Sequence, residues 1–183
     1  SSSTQTNVNC NARSDGTATA ARAAGTAGYT YSWNTNPVQA TAQATGLAAG
    51  TYVCTVTDAN GCVVTTSATI TQPAAALSAS NTTSSYNGVG VSCNGASDGT
   101  ATAAGAAGTA GYTYSWNTNP VQTTAQATGL AAGTYVCTVT DANGCVVTTS
   151  ATITQPAAAL SASNTTRSYN GVGVSCRSEE HKS

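Results

Sequence analysis

The residues with the most evident chemistry in this chain are its seven cysteines. Two of them, Cys54 and Cys62, flank a turn in the segment GLAAGTYVCTVTDANGCVV, which raises three alternatives: a metal site, a redox pair or a structural role. The sequence has no C-x-x-C pair, and its single histidine, His181, lies in a polar tail, so zinc is disfavoured. Small β domains with thin cores often need disulfides, which persist in oxidising compartments. We therefore expect extracellular disulfides rather than a metal.

Residues able to act as catalytic acids or bases are sparse. No histidine lies within the repeated part of the chain, so the many serine and threonine hydroxyls lack a general base. The acidic residues are Asp15, Asp58, Asp98, Asp141, Glu179 and Glu180. The sequence predicts a protein that is not an enzyme and that carries no cofactor.

Calcium and glycans are the remaining ligand hypotheses. The segment DANGC begins like a calcium loop, but its twelfth position is Thr69 rather than a carboxylate, which favours a hairpin turn capped by Asp58. Calcium bound between domains by Asp15 or Asp98 stays open. Tyr29, Tyr31 and Trp33 alternate onto the face expected to be the core, which disfavours stacking on sugars. Asn81 and Asn164 lie in N-x-T sequons, for which a polar linker is the favoured interpretation.

The charge balance excludes several classes of partner. Five basic and six acidic residues give a formal net charge of −1, without the clustered Lys and Arg that nucleic acids or anionic membranes require. No apolar run in the sequence approaches the length of a membrane span, and we expect no segment of it to act as a signal peptide. We expect a mature or excised segment without membrane insertion.

The chain is a tandem repeat with a period of 83 residues. Residues 10–93 and 93–176 differ at five of 84 positions: 12, 13, 22, 40 and 84. We divide the chain into a first repeat (1–73), a second repeat (74–156), and the leading strand of a third repeat with a polar tail (157–183). Near-identical consecutive modules are typical of a stalk, a fibre or a multivalent surface rather than an enzyme.

The two ends of the chain are out of phase with the repeat. The first copy lacks the upstream segment AAALSASNTT, whereas the last copy carries that segment without a body behind it. One interpretation is a fragment of a longer array. The other is head-to-tail assembly, in which the C-terminal segment of one chain adds a strand to the first repeat of the next.

Each repeat reads as about seven short strands in an immunoglobulin-like β-sandwich. Small and β-branched residues alternate in GTATAA, GYTYSW, QATAQATGL, GTYVCTVT and CVVTTSATI, and GVGVSC at 88–93 is the predicted leading strand. In that strand Val89, Val91 and Cys93 fall on one side. The predicted structural core contains Trp33 and Trp116, with Tyr52 and Tyr135 as tyrosine corners.

The same pattern limits how the three cysteines of a repeat can pair. With a loop at Asp58 to Gly61, Thr57 faces Cys62 and Cys54 falls opposite Thr65, so a Cys54–Cys62 bond is the poorest choice. Pairing of the first cysteine with the second, or of the first with the third, stays open from the residues alone.

Four motifs in order resemble the SprB-type repeat of surface and gliding-motility adhesins of Bacteroidetes. They are VSCNGASDGTAT (91–102), AGYTYSW (110–116), ATGLAAGTYVCTVTDANGC (127–145) and ATITQP (151–156), and they cover nearly a whole repeat. The resemblance implies β-sandwich modules strung along a very long secreted protein that works in adhesion or motility at the cell surface. As partners we expect copies of the chain itself or further repeats of a longer chain, with a glycan as a second candidate.

The resemblance also implies a disulfide pairing. Its pattern contains the cysteines of SCNG and DANGC, which favours Cys10–Cys62 and Cys93–Cys145. Cys54 and Cys137 depart from the pattern, and with Cys176 they stay unassigned thiols, either buried or linked to another chain.

Overall fold

A computed structural model of the chain describes residues 2–22, 25–164, 168–169 and 172–173. These ranges contain strands and no helix, which confirms the all-β class; none of their elements is therefore a helix able to cross a membrane. In chain order the strands are β1 Ser2–Thr6, β2 Gly16–Ala21, β3 Thr30–Trp33, β4 Gln43–Leu47, β5 Gly50–Thr57, β6 Val63–Ile70, β7 Ser78–Thr83, β8 Gly99–Ala106, β9 Thr113–Trp116, β10 Gln126–Leu130, β11 Gly133–Thr140, β12 Val146–Ile153, β13 Ser168–Tyr169 and β14 Val172–Gly173.

Each repeat is a sandwich of two antiparallel three-stranded sheets. In the first repeat the sheets have the orders β1-β2-β4 and β3-β5-β6, and in the second β7-β8-β10 and β9-β11-β12. The first, second and fourth strands thus face the third, fifth and sixth, which is the immunoglobulin-like arrangement without one edge strand. The tandem immunoglobulin-like fold is confirmed, but with six strands in each repeat rather than about seven.

The leading strand of the second repeat is β7, not the predicted segment 88–93. The backbone N–H groups of Gly90 and Val91 both donate to the Thr154 carbonyl oxygen, at 2.9 and 3.1 Å, so this segment bends against the end of β12. Val91 is buried there, whereas Cys93 is exposed. The prediction that Cys93 points inward was wrong because this segment is bent rather than strand-like.

The first repeat has its own leading strand. β1 pairs with β2 from Ser2↔Ala21 to Thr6↔Thr17, and so occupies the edge that β7 occupies beside β8 in the second repeat. Val8 is buried after β1 as Val91 is buried after β7. Although the first copy lacks the segment AAALSASNTT, its first sheet is therefore complete.

The cores are built mainly from small residues around one tryptophan each. Trp33 and Trp116 are 1% exposed, and each indole Nε1–H donates to a backbone carbonyl oxygen 3.0 Å away, of Thr41 and Thr124. The other buried apolar residues of the first core are Val8, Ala18, Ala20, Ala44, Leu47, Cys54, Val56, Ala68 and Ile70. The tryptophan therefore supplies the bulk that the small residues lack.

The half-buried tyrosines Tyr52 and Tyr135 pack against these cores at the start of β5 and β11. Each hydroxyl donates to a backbone carbonyl oxygen four residues upstream, of Ala48 and Ala131, at 3.1 Å. This is the bond expected of a tyrosine corner.

The turn between β5 and β6 is one residue longer than predicted. The N–H of Cys62 donates to Asp58 Oδ1 at 2.8 Å, and the N–H of Asp58 donates to the Cys62 carbonyl at 3.0 Å. Cys62 is therefore part of the turn, and the ladder starts at Thr57↔Val63 with Cys54 opposite Thr66.

Most of the predicted third unit lies outside the described residues. β13 and β14 pair antiparallel, through Ser168↔Gly173 and Tyr169↔Val172. The predicted sites at Cys176, Glu179, Glu180 and His181 lie outside the described residues.

Candidate functional site

The candidate functional site in the described part of the chain is the contact between the two repeats. The chain leaves the first repeat after β6 and enters the second at β7, with the linker residues 74–77 shortly before the latter. Two segments remote in sequence meet beside this linker: the loop after β1, with Asn9 and Cys10, and the turn between β11 and β12. We call this contact the inter-repeat joint.

A disulfide crosses the inter-repeat joint. Cys10 of the first repeat is bonded to Cys145 of the second, with 5.7 Å between their Cα atoms and a sequence separation of 135 residues. Both cysteines are 7% exposed, so the bond is shielded from solvent. The two repeats are thereby joined covalently at a point other than the linker.

Asp141 organises the turn that presents Cys145. Its Oδ1 accepts hydrogen bonds from the N–H groups of Asn143 (2.9 Å) and Cys145 (2.8 Å), and its Oδ2 accepts one from the Thr109 N–H (2.9 Å). These bonds, that of Thr109 most strongly, hold the pKa of Asp141 below its ordinary value because they favour the charged carboxylate. The carboxylate is thus a structural acceptor for the turn backbone.

The equivalent turn of the first repeat is built in the same way. Asp58 accepts hydrogen bonds from the N–H groups of Thr26, Asn60 and Cys62, at 3.0, 3.0 and 2.8 Å, and its pKa is likewise lowered, most by Thr26. The interpretation of DANGC as a self-capped turn agrees with these contacts. Within residues 2–22 and 25–164, no three Asp, Glu, His or Cys side chains group into a metal site.

A hydrogen bond across the joint distinguishes the second turn from the first. Asn143 Nδ2 donates to the Asn9 carbonyl oxygen (3.0 Å) and to Thr109 Oγ1 (2.9 Å), whereas among the described residues Asn60 Nδ2 makes only the second type of bond, to Thr26 Oγ1 (2.8 Å). The turn geometry therefore exists before a neighbouring repeat is added, and the neighbour supplies one further acceptor.

The predicted disulfides Cys10–Cys62 and Cys93–Cys145 were wrong. Cys62 precedes the eight-residue strand β6, and Cys10 lies beyond its other end, where Asn11 Nδ2 donates to the Pro73 carbonyl oxygen at 2.9 Å. A strand of eight residues spans about 26 Å, far more than the Cα separation of a disulfide. Because the two cysteines lie at opposite ends of one sandwich, Cys62 cannot reach Cys10, which is bonded instead to Cys145 of the adjacent repeat.

The described cysteines outside this bond are free thiols of two kinds. Cys62 and Cys93 are exposed, and they are the repeat equivalents of Cys145 and Cys10. Cys54 and Cys137 are fully buried opposite Trp33 and Trp116 in the ladders β5–β3 and β11–β9. Pairing of the first cysteine with the second is therefore not formed in either repeat.

Burial determines the chemistry of the second kind of thiol. It raises the pKa of Cys54 and of Cys137 above the ordinary value, partly offset by a backbone hydrogen bond from Ser32 and from Ser115. A protonated thiol without solvent contact is a poor nucleophile. Cys54 and Cys137 therefore act as small apolar core residues.

The aromatic residues considered for glycan stacking do not form an exposed platform. Trp33 and Trp116 are buried, and Tyr29, Tyr31, Tyr112 and Tyr114 are partly buried against the cores. The faces of the two indole rings are therefore not open to a sugar.

Comparison with known proteins gives a family match within each of the two repeats. The family model described as the SprB repeat matches the chain twice, over residues 2–38 and 86–121, so the resemblance seen in the motifs is confirmed for these two segments. The curated proteins contain no match. Among solved structures, a match is the "Structure of amphioxus IgVJ-C2 molecule", at 15% identity, with 84% of this chain and 97% of that chain covered and a TM-score of 0.34.

Proposed function

We propose, from the premise that residues 2–38 and 86–121 are SprB repeats, that the chain is a non-enzymatic spacer segment of an extracellular fibre or cell-surface adhesin. The observation that carries the proposal is the Cys10–Cys145 disulfide, which ties one repeat to the next. A spacer must keep its modules in a defined order and orientation, and a covalent bond beside the linker serves that purpose.

Three further observations support this function. The two repeats are nearly identical, and duplication adds length or valency rather than chemistry. The disulfide requires an oxidising compartment in which to persist, as a secreted or surface-exposed protein would have. The disulfide and the Asn143–Asn9 hydrogen bond both lie between repeats, where a spacer needs contacts.

The proposal predicts that the disulfide fixes the relative orientation of the repeats. For the double variant Cys10→Ser/Cys145→Ser, we expect two folded repeats that move about the linker, because the joint then loses its covalent bond and depends on hydrogen bonds to the Asn9 carbonyl oxygen and on local packing. Small-angle X-ray scattering should show a broader distance distribution, and circular dichroism should be unchanged.

The matched control is Cys62→Ser/Cys93→Ser, which removes two cysteines that form no bond in the described structure. This variant should scatter like the unmodified monomer. If both double variants scattered alike, the joint would not depend on the disulfide and the rigid-spacer proposal would be wrong.

The proposal extends to head-to-tail assembly by strand donation. Residues 157–166 repeat residues 74–83 letter for letter, and Ser78–Thr83 of that segment form β7. In each copy's own first repeat, β1 occupies the edge beside β2, so donation is an exchange in which the segment of one copy replaces β1 of the next.

Strand donation predicts that assembly under reducing conditions requires residues 157–166. We expect the full chain to form end-to-end polymers and a chain lacking residues 157–183 to stay monomeric, measured by light scattering after size-exclusion chromatography. A chain lacking only residues 174–183 keeps the donated segment and should assemble. Polymers of equal length from both truncated chains would contradict donation.

A further inference from the structure

The inter-repeat joint uses one cysteine from each of two half-sites. The first half-site is the loop that carries Cys10, at the end of the first sandwich that faces the second repeat. The second half-site is the turn that carries Cys145, at the end of the second sandwich that faces the first repeat. With the 83-residue period, Cys93 is the loop cysteine of the second repeat and Cys62 the turn cysteine of the first. The joint within the chain leaves these two half-sites unused.

The half-site around Cys93 is already formed. Asn94 Nδ2 donates to the Pro156 carbonyl oxygen at 2.8 Å, as Asn11 Nδ2 does to Pro73 at 2.9 Å. The Gly95 N–H donates to Gln155 Oε1 at 3.0 Å, as the Ala12 N–H does to Gln72 at 2.9 Å. The loop that presents Cys93 thus has the backbone anchors of the loop that presents Cys10.

The half-site around Cys62 is formed as well. The Cys62 N–H is held by Asp58 Oδ1 at 2.8 Å, the same distance as from the Cys145 N–H to Asp141 Oδ1. Among the described residues, Asn60, which corresponds to Asn143, donates to Thr26 Oγ1 and to no carbonyl of the other repeat, whereas Asn143 donates to Asn9. The side-chain amide of Asn60 therefore has an N–H available to donate to a backbone carbonyl oxygen in the loop of a neighbouring copy.

The solvent exposure of the two cysteines shows that neither half-site is covered by another repeat. Cys62 and Cys93 are exposed, whereas their equivalents Cys145 and Cys10 are each 7% exposed because the adjacent repeat covers them. Leu160 is completely exposed, but its equivalent Leu77 is partly buried beside Gly108 of the second repeat. One thiol and one apolar side chain at the end of the second repeat thus lack the cover that the first repeat receives.

We propose that Cys93 of one copy forms a disulfide with Cys62 of a second copy, so that the contact between chains repeats the inter-repeat joint. The inference rests on the proposed spacer function and specifies its partner. The two thiols lie at opposite ends of the two-repeat unit, so each copy has one donor end and one acceptor end. Such a heterologous contact gives linear chains of a single polarity rather than closed dimers.

The covalent bond forms by thiol–disulfide exchange with a low-molecular-weight disulfide. The Cys93 thiolate attacks one sulfur of that disulfide, giving a mixed disulfide and releasing one small thiol. The Cys62 thiolate of the second copy then attacks the Cys93 sulfur and releases the second small thiol. The two protein thiols lose two electrons and two protons in total, which the small disulfide takes up in becoming two thiols.

A covalent bond has a greater role between chains than within one. Inside the chain the linker 74–77 keeps the two repeats together, so their effective concentration is in the millimolar range of short tethers. Between copies that covalent link is absent, and the side chain of the turn contributes a single amide hydrogen bond of the Asn143–Asn9 type to the described joint. The disulfide would therefore make the contact between copies permanent.

Two single variants test the pairing, both made in the full chain carrying Cys176→Ser, which removes the cysteine outside the described residues. Cys62→Ser keeps the Cys93 end and Cys93→Ser keeps the Cys62 end. In a buffer of oxidised and reduced glutathione, we expect each variant alone to stay monomeric on a non-reducing denaturing gel. An equimolar mixture should give a dimer and nothing larger, and the Cys176→Ser chain alone should give a ladder.

Mass spectrometry of non-reduced peptides completes the test. The dimer should contain one Cys93–Cys62 linked peptide and the intact Cys10–Cys145 peptide of each copy. Dimers formed by either variant alone would reveal symmetric Cys93–Cys93 or Cys62–Cys62 bonds and would overturn the proposal. A mixture that stays monomeric while retaining the Cys10–Cys145 peptide would also overturn it, but would leave the spacer function standing.

Discussion

Replacing Trp116 with alanine is expected to lower the free energy of unfolding of the second repeat by about 3–5 kcal/mol. Trp116 is the largest fully buried side chain of this repeat, and its neighbours in the core are mostly alanine, valine and cysteine. Such small neighbours cannot fill the resulting cavity. The variant also leaves the Thr124 carbonyl oxygen without the indole N–H that it now accepts.

The tandem repeat supplies its own control for this prediction. In the variant Trp33 is the only tryptophan, so its fluorescence reports the first repeat alone, while far-ultraviolet circular dichroism reports both. Urea denaturation should show an early dichroism transition that fluorescence does not follow. In the variant Trp33→Ala, the remaining fluorescence of Trp116 should report the second repeat, and the early dichroism transition should come from the first repeat. A single transition at the unmodified midpoint would mean that the tryptophans are not essential to the cores.

The second large effect is expected at Gly99, the first residue of β8. A Cβ atom at this position would lie 2.7 Å from the Leu130 carbonyl oxygen and 2.9 Å from Ile153 Cγ2, and the first of these atoms belongs to the backbone. Gly99→Ala should therefore destabilise the second repeat by about 2–3 kcal/mol, as overpacking does. Chemical denaturation with dichroism detection measures the change.

Gly95→Ala is the matched control. Gly95 has φ +79°, with no atom within 4 Å of an added Cβ, and the first repeat already has Ala12 at the equivalent position with φ 62°. The cost should therefore be the conformational one alone, about 1 kcal/mol. If Gly95→Ala were as damaging as Gly99→Ala, the close approach at Gly99 would not be the cause.

The sheets could be predicted from the sequence where strand alternation and turn residues agree. Residues 16–21 and 50–57 were predicted as strands and are β2 and β5. The leading strand was misplaced because GVGVSC has the apolar alternation of a buried strand, whereas β7, with the sequence SASNTT, is mostly polar. β7 lies at a sheet edge, where one neighbour provides its backbone bonds and little burial is required.

The disulfide was the part of the candidate site that sequence reasoning missed. The resemblance indicated which cysteines recur, but not at which end of the sandwich each lies. The signal was present in the predicted strand 62–70, because Cys62 at the start of that strand cannot reach a loop beyond its other end. Combined with the 83-residue period, that distance points to a partner in the adjacent repeat.

The Cys10–Cys145 bond also sets how the chain responds to tension. Force applied at residues before Cys10 and after Cys145 passes directly through the sulfur–sulfur bond and bypasses the stretch of chain between the two cysteines, whose sequence separation is 135. Fully extended, that stretch would add roughly 450 Å of contour length. In oxidising surroundings this length cannot be extended even if both sandwiches unfold, so the bond limits the extensibility of the chain. Reduction of the bond would add this contour length to the chain once the sandwiches unfold.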